Sequence, residues 1–118
     1  MIDKALLTKI SGEDESFKKE IENKIYSKTV EFGKSFRQAA IAGEWNSCYY
    51  QLLEFYKSIT PFARMSYLNE MNQQISVISY TEDEQVKRTT CIGVLKSLEN
   101  QLSALKEPEL DIVQTKVA

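Results

Sequence analysis

No histidine occurs among the 118 residues. That single absence removes Ser-His and Cys-His nucleophile pairs and every His-ligated metal site. Cysteine is nearly as scarce. Cys48 and Cys91 are the only two, too few for a disulfide framework or a zinc site. Both fall inside helical patterns among apolar neighbours and read as reduced core thiols. With 2 prolines and 4 glycines there is little material for long loops or low-complexity segments. No Gly-rich loop is present to cradle a phosphate. A basic surplus is missing too: the net charge is −2 and the pI about 5.3, which gives no footprint for nucleic acid. The opening MIDKALLTKI has no long apolar run, so it reads as neither a signal peptide nor a membrane anchor, and a cytoplasmic protein away from membranes is expected. Paired carboxylates occur only in clusters such as residues 13–15 and 82–84, which read as helix-start charges. These absences predict a protein that is not an enzyme and uses no cofactor and no metal.

What the chain does contain is helical periodicity. Hydrophobic residues make up 42%, enough for one domain with one core. A short first helix carries Ile2, Ala5, Leu6 and Ile10. A long second helix of about 28 residues carries Phe17, Ile21, Ile25, Phe32, Phe36 and Ala39 or Ala40 on one stripe. Glu13, Asp14 and Glu15 meet the positive end of its dipole, and Gly43 follows its C-terminus. Gly33, inside that helix, reads as a point of close packing, because glycine otherwise costs about 1 kcal/mol there. A third helix from Glu44 to Ile59 buries Trp45, Cys48, Leu52, Phe55 and Ile59. Thr60 and Pro61 read as the N-cap and first position of a fourth helix, with Met65, Leu68, Met71, Ile75 and Ile78 inward. The stretch TEDE, residues 81–84, has the spacing of a capping box and opens a fifth helix carrying Val86, Cys91, Leu95, Leu98, Leu102 and Leu105, which Pro108 stops. No segment alternates with a period of two. The predicted fold class is all-α: an antiparallel up-and-down four-helix bundle with a short N-terminal helix, over residues 1–107, followed by a flexible C-terminal tail over 108–118.

The order of features resembles the histidine phosphotransfer (HPt) domain family over about residues 6–106. LLTKISGEDESFKKEI is similar to the family's opening, in which a leucine and a spacer precede Ser-Gly-Gly-Asp, acidic residues and a phenylalanine. FRQAAIAGEWNS resembles the link between the family's second and third helices. EFYKSITPFARMSYLNEMNQQI resembles the segment that carries its active histidine, the following turn and the next helix. The resemblance implies an HPt-like bundle in signal transduction, where such domains relay a phosphoryl group between receiver domains of a two-component phosphorelay. It places the phosphoacceptor eight residues after Trp45, at Leu53. The lysines that the family has one and three residues later are here Glu54 and Tyr56, and the small residue or proline at the fourth position is Lys57. The chemistry of the family therefore does not carry over. What remains as an expectation is a pseudo-phosphotransfer module: a non-catalytic docking or regulatory protein for a receiver domain or sensor histidine kinase.

The stretch YYQLLEFYKSITPFARM, residues 49–65, supplies the candidate surface. On a helix, Leu53 neighbours Tyr49, Tyr50, Tyr56 and Lys57. Tyrosine brings a large contact area with few rotatable bonds, which suits an interface. The candidate partner-binding residues are Tyr49, Tyr50, Leu53, Glu54, Tyr56 and Lys57, with Leu53 at the surface. Other readings stay open: a wide core edge into which Tyr49 and Tyr50 pack, a homodimer through the same patch, or a helical-bundle chaperone or inhibitor that uses a groove between helices outside phosphorelay signalling.

Overall fold

A computed structural model gives the fold. It describes the backbone of residues 2–117 and the side chains of residues 2–103. Among these residues every regular element is helical: α1 (Lys4–Ser11), α2 (Glu15–Ile41), α3 (Trp45–Ile59), α4 (Met65–Tyr80) and α5 (Glu84–Val117). The connections between them are short, and several have a local cause. Asp3 and Asp14 cap α1 and α2 by accepting the backbone N–H groups of Ala5 (3.0 Å) and Phe17 (3.0 Å). Gly43, at φ +71°, turns the chain after α2 in the left-handed region that glycine enters without steric cost.

Helix α2 packs against α3 and α5, α3 against α4, and α4 against α5, while α1 lies on α2. Each long helix therefore contributes one row to a single shared core. Ile25, Thr29, Phe32, Phe36 and Ala39 come from α2; Cys48, Leu52, Phe55 and Ile59 from α3; Leu68, Met71, Ile75 and Ile78 from α4; and Cys91, Val94 and Leu98 from α5. Thr29 sits in this row because its hydroxyl donates to the carbonyl of Ile25 at 2.7 Å, leaving no unmet donor. Gly33 is a packing point, as its position predicts. A Cβ there would lie 2.9 Å from Leu98 Cδ2, so the glycine lets α5 approach α2 closely.

Several sequence expectations need correction. Leu7, rather than Leu6, is the fully buried residue of α1, and Ile2 is buried ahead of the helix. Ile2 bridges to Ala63, Asp3 donates its N–H to the carbonyl of Phe62 (2.7 Å), and Arg64 Nε donates to the carbonyl of Ile2 (3.3 Å). That clamp holds the α3–α4 turn and delays α4 to Met65. Thr60 and Pro61 thus close α3 rather than open α4, and the Thr60 hydroxyl bonds back to the Tyr56 carbonyl at 2.7 Å. Met65 is exposed and Tyr67 is buried in its place. Ile10, Phe17 and Val86 are exposed ends of their stripes, and Trp45 is half-buried beneath Arg88, whose guanidinium carbon is 5.6 Å from the ring centroid. Asp83 rather than Thr81 caps α5: its carboxylate accepts the N–H of Gln85 at 2.9 Å, while the Thr81 hydroxyl accepts the N–H of Asp83. The helical backbone of α5 continues past Pro108. Leu105 and the expected tail at 108–118 fall outside the residues whose side chains are described.

Candidate functional site

Helix α3 presents different chemistry on each side of its core row. At 100° per residue, Cys48, Leu52, Phe55 and Ile59 form one stripe. Tyr49, Leu53 and Tyr56 lie on one flank. All three are half-buried and packed against the core, so Leu53, expected at the surface, is only partly open to solvent. Its place flanking the stripe explains this: a leucine there covers the edge of the core as well as facing water. Lys57 is exposed and lies 3.9 Å from Glu54, a surface pair of little energetic weight.

Tyr50 and Glu54 belong to the opposite flank. Tyr50 is 63% exposed, and its ring meets that of Tyr49 edge-on at 5.2 Å. Together with Gln51, Phe55 and Ser58, the two residues border a cavity of about 560 Å³ against Lys28, Glu31, Phe32 and Ser35 of α2. A second cavity of about 230 Å³ continues it, lined by Ile21, Lys24, Ile25, Ile59 and Phe62, with Lys28 and Ser58 common to both. The result is one long groove between α2 and α3. Its register is set by Phe32 and Phe55, whose rings stack at 4.3 Å with an interplanar angle of 1°. Within the groove wall, the Gln51 amide donates to the Ser47 hydroxyl (2.9 Å), while its buried Oε1 has no hydrogen-bond partner among the described residues.

The six predicted residues divide between two flanks of α3, which the Tyr49–Tyr50 ring contact and the Glu54–Lys57 pair join across the outer face. The structure brings Tyr49, Leu53 and Tyr56 together on one side, and Tyr50 with Glu54 on the other, with Lys57 between the two on the outer face. The α2 wall of the groove was missed. Lys24, Lys28, Glu31 and Ser35 recur at helical spacing along one flank of α2, but only the pairing of α2 with α3 turns that flank into half of a groove.

The remaining chemistry is buried. Cys48 and Cys91 are free thiols that interact inside the core. Burial pushes both thiols up from their ordinary value, Cys91 to about 12. Burial, with the nearby charge of Glu70, also raises the Tyr67 hydroxyl. None of these groups is poised as a nucleophile near neutral pH. Among the described residues no cluster of His, Cys, Asp or Glu could hold a metal ion, and no helix is long and apolar enough to cross a membrane.

No family model matches the chain, and no curated protein or solved structure matches it. Among the described residues, the structure is all-helical, with five helices.

Proposed function

We propose that this chain is a non-catalytic docking module with HPt-like architecture, an antiparallel up-and-down four-helix bundle carrying α1 over one end. In this reading it is cytoplasmic and works in a two-component phosphorelay by occupying a receiver domain or sensor histidine kinase, without passing on a phosphoryl group. The observation that supports it most is the composition of α3. Tyr49, Leu53 and Tyr56 form a half-buried apolar flank centred on the position that the family resemblance assigns to the phosphoacceptor. A flank of this kind offers aromatic anchors already held in place by the core, which lowers the ordering cost of binding. With no histidine in the chain, histidine phosphotransfer is not available to it.

The test is a calorimetric titration of the purified protein against receiver domains, with and without a phosphoryl mimic. Tyr56→Ala is a better control than Leu53→Arg, because Leu53 supports the core edge and an arginine there would disturb folding as well as docking. Saturable binding that Tyr56→Ala weakens by about thirtyfold or more is expected, the size of an interface hot spot. If no receiver binds, the phosphorelay reading is lost.

The groove between α2 and α3 favours a second reading outside phosphorelay signalling, in which the groove takes up a helix or a second copy of the chain, as a chaperone, inhibitor or homodimer would. Its apolar floor of Ile25, Phe32, Phe55 and Ile59 is the observation behind it.

A further inference from the structure

The groove spans α2 from Ile21 to Ser35, which is about 21 Å at 1.5 Å per residue. Its floor is apolar, and its rim is electrically bipolar. One end carries Lys24 and Lys28; the other carries Glu31 and Glu54. Among the described residues, Lys28 and Glu31 make no ion pair within the chain. Lys24 is 3.9 Å from Glu20 and Glu54 is 3.9 Å from Lys57, both at exposed positions. A surface with an apolar centre, positive at one end and negative at the other, is complementary to itself after a half-turn. That is what an isologous two-fold interface requires, since the same patch must serve on both sides.

We propose that the α2/α3 groove is a homodimer interface whose occupant is a second copy of this chain. The two-fold axis crosses the groove at right angles to the helices, between Lys28 and Glu31. Each Lys28 then faces Glu31 of the other copy, so the two charge pairs form twice by symmetry. The same rotation carries Tyr50, exposed at the glutamate end, toward the Ile21–Phe62 end of the second copy's groove. There a hydrophobic crevice is open to receive a ring. Such an interface covers Tyr50 and Glu54, reaches the edge of the Tyr49 ring, and leaves Leu53 and Tyr56 free. Dimerisation is therefore distinct from docking on Leu53 and Tyr56, and each can fail without the other.

Sedimentation equilibrium of the full chain, alone in solution, tests this. A monomer–dimer equilibrium that depends on concentration and weakens with salt is expected. Lys28→Glu and Glu31→Lys should each raise the dissociation constant by about tenfold or more, because each turns both pairs repulsive. Circular dichroism should show unchanged helix content, since both positions are solvent-facing on α2. An equimolar mixture of the two variants should recover dimer, because the acidic pair of one variant then faces the basic pair of the other across the two-fold axis. The proposal is overturned if the native chain is monomeric at every concentration, which would leave the groove to a helix from another protein. It is equally overturned if the mixture associates no better than either variant alone.

Discussion

The two flanks of α3 differ by a rotation of a few residues and teach different things. Tyr49, Leu53 and Tyr56 close the core on one side; Tyr50 and Glu54 stand beside an open groove on the other. Both flanks hold a tyrosine within one turn of the same buried row. What separates them is the neighbouring helix. On the groove side, α2 faces α3 with Lys28, Glu31 and Ser35, side chains that do not fill the space above Phe32 and Phe55. An apolar residue is therefore buried or offered to a partner according to what stands opposite, and the difference is not visible in α3 by itself.

The row shared by both flanks should be the costliest to disturb. Phe55 is 5% exposed, stacks on Phe32 and forms part of the groove floor. Phe55→Ala is expected to cost about 3–5 kcal/mol in urea denaturation, as truncation of buried aromatic residues does. A loss under about 1 kcal/mol would mean that the groove collapses to refill the space. The flanks themselves should then separate. Leu53→Arg puts a charge where a half-buried leucine covers the core edge, and about 1–3 kcal/mol of destabilisation is expected. Glu54→Arg, one residue along, should change stability by no more than about 0.5 kcal/mol, because that side chain is 76% exposed. Equal effects at 53 and 54 would erase the distinction between the flanks.

Behind both flanks lies the thiol pair, which makes a smaller, pH-dependent contribution. Cys91 stays protonated in the folded chain up to about 12, whereas in the unfolded chain it ionises near its ordinary value of 9.0. Below that ordinary value the thiol is neutral in both states and favours neither. As the pH rises above it, the unfolded chain alone releases the proton, so stability declines between about 9 and 12. Cys48 and Tyr67 are raised as well and act in the same direction. Urea midpoints should fall through this alkaline window, and Cys91→Ala should flatten the decline. A midpoint that stays level from neutral to alkaline pH would show that these groups are not buried as described.

Much of the fold was legible in the sequence because the periodicity was strong. The rows Ile25–Phe32–Phe36, Cys48–Leu52–Phe55–Ile59 and Leu68–Met71–Ile75–Ile78 recur at helical spacing and are buried. Gly33 was legible as a packing point because a glycine inside a helix needs a reason, and Leu98 supplies it. The helix starts were less legible. Thr60-Pro61 and Thr81 have the composition of caps, but the Ile2–Ala63 clamp and the Asp83 carboxylate decide where α4 and α5 begin. Both are choices made by tertiary contact or by competition between adjacent polar side chains. The candidate site was legible only in part for the same reason. Tyr50 and Leu53 can be found as apolar residues off the core stripe, yet whether each is exposed depends on which helix lies next to it.

Tyr50→Ala should have the smallest effect on the fold and the most informative effect on association. The ring is largely in water, so little buried area is lost. Its edge-on contact with Tyr49 is worth about 0.5–1.5 kcal/mol, and alanine returns roughly half a kcal/mol through better helix propensity. The two terms nearly cancel, and thermal denaturation should show a net change within about 1 kcal/mol. Tyr56→Ala, on the packed flank, should lose more stability, because its body lies against the core. Comparing the two variants in the receiver titration and in sedimentation then assigns each flank its own event. Loss of receiver binding with Tyr56→Ala alone, and of dimer with Tyr50→Ala alone, would show that one helix serves two partners through opposite sides. Loss of both activities in both variants would instead show that α3 presents a single surface, and that the groove and the packed flank act as one.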